Sequence, residues 1–62
     1  MHSREILKAL KKDGWFIIGQ KGDHLQLKHP TKKGRVTVAH PTKHMPLGTL
    51  KNIERQAGIK LR

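Results

Sequence analysis

Lys21-Gly22-Asp23-His24-Leu25-Gln26-Leu27-Lys28 is the stretch on which the fold turns. A glycine turn passes there into strict alternation of apolar and polar residues. Successive side chains of an extended chain point to opposite faces, so Leu25 and Leu27 share one face and His24, Gln26 and Lys28 the other. With the leucines in a core, the imidazole stands on the outer face of a sheet, beside ammonium groups. A base presented among cations points to chemistry on a phosphate backbone.

Working outward, Pro30-Thr31-Lys32-Lys33-Gly34 is a turn with a basic tip, and Arg35-Val36-Thr37-Val38-Ala39-His40 alternates again. Residues 35–40 are therefore a third strand and the hairpin partner of the second, residues 23–29. Trp15-Phe16-Ile17-Ile18, β-branched and aromatic between Gly14 and Gly19, reads as the first strand, with a turn over Gly19–Gly22. A one-residue slip of register would exchange the two faces. The assignment holds because burying Leu25, Leu27, Val36 and Val38 stabilises by roughly 1.5–3 kcal/mol each, whereas burying the polar set would cost more.

Two helices flank the strands. Ser3 is placed to cap a helix over about residues 3–13, with Ile6, Leu7, Ala9 and Leu10 on one stripe and Lys8, Lys11 and Lys12 opposite. Gly14 is suited to end it in the left-handed conformation. After the connector Pro41–Met45, Pro46 fits just inside a second helix, although Gly48 weakens its first turn. Leu47, Leu50, Ile53 and Ala57 recur at helical spacing, and Gly58 followed by Ile59 has the form of a Schellman ending. Met45 is read as a hydrophobic staple at the helix entry. The fold class is α+β: a single α-β-β-β-α domain over 1–62, with a three-stranded antiparallel sheet and both helices on one face. The other face stays open and carries His24, Gln26, Lys28, Arg35 and Thr37.

Composition narrows the function. Sixty-two residues allow one small core, and the chain has no cysteine, so disulfides are excluded. No apolar run is long enough to span a bilayer and Met1-His2-Ser3-Arg4-Glu5 lacks a signal peptide's apolar stretch, so a cytoplasmic protein without membrane attachment is expected. Fourteen Lys and Arg against four Asp and Glu give a formal net charge of +10, a surface that attracts polyanions. Trp15 and Phe16 are the only aromatics, which leaves base stacking little to work with; Trp15 is read as a packing residue.

Four groups of residues resemble the HicA family of small toxins from bacterial toxin–antitoxin modules. They are Asp13-Gly14-Trp15; Gly22-x-His24 followed by Lys28-His29-Pro30; Val36-Thr37-Val38-x-His40-Pro41; and Pro46-x-Gly48-Thr49-Leu50-Lys51-x-Ile53 running to Gln56-Ala57-Gly58. The resemblance covers nearly the whole chain. It implies a fold like that of double-stranded-RNA-binding domains and a ribosome-independent mRNA endoribonuclease activity, with the family's catalytic histidine falling on His24. It also implies a HicB-type antitoxin that occludes His24, with DNA engaged only indirectly, through the toxin–antitoxin complex. Where the family has serine before the histidine this chain has Asp23, which puts a carboxylate beside the base and close to any bound phosphate. Related chains also often carry a histidine and an aromatic where Leu25 and Leu27 stand here.

Cleavage of RNA can use the ribose 2′-hydroxyl as an internal nucleophile, given a base for its proton and cations for the pentacoordinate oxyanion. Imidazole, with an unperturbed pKa of about 6.5, suits the role of general base at neutral pH. His24 is accordingly the candidate catalytic residue on single-stranded or messenger RNA, without metal or cofactor. Lys21, Gly22, Gln26, Lys28, Lys32, Lys33 and Arg35 are the candidate RNA-binding residues. The general acid is open between His29, His40, Lys28 and water. His29 and His40 each precede a proline at a strand end, where bonding to turn backbone is the expected role. His40 and His44 are four apart, but Pro41 prevents the helix that would aim both at one metal. His2 is expected to be terminal and mobile.

Two other classes share these features. A non-catalytic double-stranded-RNA-binding module has the same fold and charge, and Lys43 and Lys51 bracket the second helix as such a module would use them. A DNA-binding protein with lost catalytic function is the second, with Asp23 as its mark.

Overall fold

The computed structural model describes residues 1–61. It runs α1 (Ser3–Lys12), β1 (Phe16–Lys21), β2 (His24–Lys28), β3 (Val36–Ala39) and α2 (Leu47–Ala57). The strands form one antiparallel sheet in the order β1-β2-β3. Element order, sheet type and parity are those the alternation predicts.

Leu25 pairs with Val38 and Leu27 with Val36, and all four are buried. They meet Ile6, Leu7 and Leu10 from α1 and Leu50, Ile53 and Ala57 from α2, and Trp15 and Met45 complete the core. Both helices make their main sheet contacts with β3. That placement leaves β1, the far edge, uncovered, and all six of its residues are exposed.

α1 departs from expectation at its start. The cap is His2, whose Nδ1 accepts from the Arg4 N–H at 3.0 Å while the Glu5 carboxylate accepts from the His2 N–H at 3.0 Å. This reciprocal pair is the capping-box arrangement, with an imidazole in place of the usual hydroxyl. His2 is thus engaged rather than mobile. Ser3 is instead fully buried inside the first turn; its Oγ accepts from the Thr42 N–H at 2.9 Å and is hydrogen-bonded to His40 Nδ1 at 2.7 Å. At the other end the Trp15 N–H reaches the Leu10 carbonyl and the Gly14 N–H that of Lys11, closing a Schellman motif on Gly14 at φ 107°.

β1 is longer than the expected Trp15–Ile18. The chain does not turn at Gly19: Ile17 pairs with Leu27, then Gly19 with Gln26, so a bulge at Ile18 absorbs one residue and the strand continues to Lys21. Only Gly22 and Asp23 form the turn, with Gly22 at φ 58°. The Gly19–Gly22 cluster thus marked a bulge as well as a turn, and glycine serves both. β2 and β3 are each trimmed at both ends relative to the expected 23–29 and 35–40.

α2 begins at Leu47, with Pro46 as its cap residue rather than inside the helix. Leu47 belongs to the periodic set but is 51% exposed, so the buried stripe of α2 is Leu50, Ile53 and Ala57. The Ile59 N–H bonds to the Glu54 carbonyl with Gly58 at φ 67°, the ending expected from sequence.

Candidate active site and nucleic-acid face

His24 opens β2 directly after the Gly22–Asp23 turn. The turn is held from both sides: the His40 N–H donates to the Asp23 carbonyl at 2.7 Å, and the Gln20 amide donates to the Gly22 carbonyl at 3.0 Å. His24 pairs with Lys21 on β1 and Ala39 on β3. Directly opposed residues share a face at close range, so an ammonium stands on one side of the imidazole and a methyl group on the other. The next row is Gly19, Gln26 and Thr37, and the one beyond begins with Phe16 and Lys28. The Arg35 guanidinium donates to Gln26 Oε1 at 3.3 Å, which brings it onto the same face.

Lys21, Gln26, Lys28 and Arg35 therefore share His24's face, Lys21 directly opposite it and the others further along the strands, with Gly22 in the adjoining turn. Among the described residues no carboxylate pairs with Lys21, Lys28, Lys33 or Arg35, since the ion pairs present all involve Asp13. Lys33 sits exposed in the β2–β3 loop. Lys32 does not join the strip. Its Nζ donates to the Asp13 carboxylate at 2.6 Å and to the Ala57 carbonyl at 3.0 Å, which carries it to the helix side of the molecule. The hydrogen bond from Lys32 holds the Asp13 carboxyl below the usual carboxylate range.

The histidines divide sharply. His29 Nδ1 accepts from the N–H groups of Thr31 and Lys32 at 3.1 and 3.0 Å, so Nε2 carries the proton and donates to the Asp13 carbonyl at 2.7 Å. Its ring also lies edge-on to Trp15, with centroids 5.2 Å apart. This is the backbone-bonding role expected of it. The His40 ring bonds instead to the Ser3 side chain, and the residue follows Ala39, so its side chain leaves the sheet on the face opposite His24. Lys28 lies four residues along β2, roughly 13 Å from His24 at strand rise. By contrast the exposed His24 ring makes no hydrogen bond among the described residues.

The sheet face is open ground, whereas a depression lined by Ala9, Lys12, Asp13, Ile59 and Lys60 lies at the helix ends. No group of three or more metal-ligating side chains converges among the described residues, and no described helix is long and apolar enough to cross a membrane. Sequence reasoning missed Phe16, which shares His24's face and is 48% exposed. Its pairing with Lys28 follows from the register, which the bulge at Ile18 sets.

A search of curated proteins finds no match to the chain. Among solved structures, a chain of the "HicA3 and HicB3 toxin-antitoxin complex" is similar to it, with 35% sequence identity, a TM-score of 0.89 and coverage of 100% of both chains. The family model for the HicA toxin of bacterial toxin–antitoxin modules matches residues 3–59. With nearly the whole chain matched, this protein belongs to the HicA toxin family.

Proposed function

We propose that this protein is a metal-independent endoribonuclease that cuts single-stranded or messenger RNA in the cytoplasm, with His24 as general base. The observation that carries the reading is the contrast among histidines. The rings of His2, His29 and His40 are committed to hydrogen bonds that hold the fold. Of the two exposed rings with no hydrogen bond among the described residues, His44 lies in the connector between β3 and α2, whereas His24 stands on the sheet face with the unpaired cations.

In this mechanism His24 takes the proton of the ribose 2′-hydroxyl, whose oxygen attacks the adjacent phosphorus. Lys21, across the strand pair, stabilises the charge that builds on the phosphoryl oxygens. The P–O5′ bond breaks, leaving a 2′,3′-cyclic phosphate and a 5′-hydroxyl. His29 and His40 do not serve as the acid, because both side chains leave the sheet on the face opposite His24, bonded there to Asp13 and Ser3; water protonates the leaving oxygen. Lys28, Lys33 and Arg35 hold the flanking backbone, with Gln26 and the Gly22 turn in contact with the same strand.

An antitoxin of the HicB type is the proposed partner, supported by the toxin–antitoxin complex to which the similar solved chain belongs. An acidic surface on that partner, seated over Lys21, Lys28 and Arg35, would cover His24. DNA is engaged only through such a complex.

The deciding experiment compares wild type with His24→Ala on labelled RNA in EDTA. Cleavage by the wild type should fall about 10²–10⁴-fold in the variant while RNA binding is retained. Binding without cleavage by both proteins would instead identify a binding module.

A further inference from the structure

We infer that Phe16 and the open backbone at Gly19 form a base-binding subsite for single-stranded RNA, beside the catalytic row; this rests on the ribonuclease reading. Phe16 is paired with Lys28 and so faces the same side as His24, and it is 48% exposed. Ile17 and Ile18, which follow it along this uncovered edge strand, are 41% and 43% exposed, Ile17 on the opposite face beside Leu27. Large apolar side chains on an uncovered sheet face are costly to leave in water unless something docks there.

Charge selects the occupant. Phe16 shares its face with Lys21, Lys28 and Arg35, none of them paired with a carboxylate among the described residues. An aromatic face bordered by cations matches a nucleotide, which offers a flat base and a phosphate together. A base on a flexible single strand can reach such a platform, whereas a base held in a duplex cannot.

The row between Phe16 and His24 leaves the space needed. A Cβ built at Gly19 would meet nothing within 4 Å, so the surface beside Gln26 is a bare stretch of backbone. Phe16 lies opposite Lys28, four residues along β2 from His24, or roughly 13 Å at strand rise. The stacked base therefore belongs to a nucleotide flanking the scissile step. Its effect is on which RNA is held and how tightly.

The test measures binding of a labelled ten-nucleotide single-stranded RNA to the His24→Ala protein, which leaves the RNA intact. Phe16→Ala and Phe16→Leu, each in that background, should weaken binding roughly 5- to 150-fold. Gly19→Val, which fills the bare stretch, should also weaken it, with the fold confirmed by circular dichroism. An abasic nucleotide moved along the RNA should cost a similar factor at one position, and that loss should vanish in Phe16→Ala. Phe16→Leu binding as tightly as its parent overturns the proposal, because an aromatic face is then not used. Unchanged binding by Phe16→Ala overturns it too and leaves the strip to a protein partner. If the parent binds no RNA, the subsite falls, and wild-type cleavage of the same RNA decides separately whether the ribonuclease reading survives.

Discussion

Lys32 Nζ stands 2.6 Å from the Asp13 carboxylate and, through the same ammonium, 3.0 Å from the Ala57 carbonyl. One cation thus ties the β2–β3 loop to the ends of both helices. The favourable end of the arrangement is α2's C-terminus, where unsatisfied carbonyls and the helix dipole both attract positive charge. Asp13's folded pKa is depressed from 3.8, chiefly by the hydrogen bond from Lys32. A depressed carboxyl contributes stability that is fully present above its unfolded value and lost as pH falls through the folded one. Lys32→Met should therefore lower the Tm at pH 7 and remove part of the wild type's loss of stability below about pH 4. Thermal melts at pH 7 and pH 3 check both points. High salt should shrink the difference, because the pair is partly exposed.

His29 makes a structural prediction of the opposite kind, one that should leave catalysis intact. Its ring satisfies the Thr31 and Lys32 N–H groups and the Asp13 carbonyl. A Cβ at Gly14 would meet His29 Nε2 at 2.8 Å, on a residue at φ +107°. His29→Ala should cost roughly 1–3 kcal/mol for the three lost bonds, and Gly14→Ala at least about 1–2 kcal/mol for its backbone conformation. Urea unfolding gives both values. At temperatures where the His29→Ala variant is folded, its cleavage rate should match wild type, since the ring faces away from the open sheet. A large fall in rate in the folded variant would return His29 to the list of general acids.

The cations on the open face should declare themselves through salt. Each Lys or Arg that neutralises a phosphate of single-stranded RNA adds about 0.7 to the slope of log affinity against log salt. Lys21→Ala, Lys28→Ala and Arg35→Ala should each reduce that slope by about this amount. Lys32→Met should leave it unchanged, because its ammonium is held at the helix ends. Binding titrations between low and moderate salt separate the two groups. Arg35→Ala carries one further effect, loosening the Gln26 amide that its guanidinium now contacts.

Most of the architecture was legible in the chain because burial leaves a period-two mark. Leu25, Leu27, Val36 and Val38 announce both strands and the face they bury, and that parity alone puts His24 in the open. The helix stripes and the Gly14 and Gly58 endings are equally local signals. What the sequence hid depends on contacts between distant segments. Ser3 looked like a cap because its type suits one, but the buried polar contact with His40 and Thr42 claims its hydroxyl and hands the cap to His2. Lys32 looked like its neighbour Lys33 until the loop folded back on Asp13. β1 misled most, since an edge strand outside the helices' cover needs no alternation, and its bulge left no mark beyond a glycine. The family resemblance supplied the assignment of His24's role, which pattern alone would have left as an exposed histidine.

The proposed chemistry has a substrate-level signature independent of any protein variant. The attacking group is the ribose 2′-hydroxyl, so an RNA carrying a single 2′-deoxy sugar at a mapped cleavage site should resist cutting there and remain a substrate elsewhere. Binding should be little changed, because one hydroxyl contributes little beside several phosphate contacts. Product ends are read by treatment with a phosphatase: a 2′,3′-cyclic phosphate resists it until opened by acid. Cutting at the deoxy position would exclude internal attack and point to water as the nucleophile.

Asp23 is the departure from the family motif that bears most directly on rate. It occupies the exposed turn beside His24, and its carbonyl accepts from the His40 N–H at 2.7 Å. A serine can supply that same carbonyl, so Asp23→Ser should fold as the wild type does. Removing a carboxylate from the edge of the face proposed to hold phosphates should lift a repulsion worth about a 2- to 5-fold change at an exposed position. KM should therefore fall by that factor at low salt, and the gain should fade as the Debye length shortens to about 8 Å at physiological ionic strength. Asp23→Asn, which removes the charge without restoring the serine hydroxyl, distinguishes the two contributions. A matched gain in both variants assigns the effect to charge, whereas a gain in serine alone assigns it to a hydroxyl that contacts RNA or orients the imidazole.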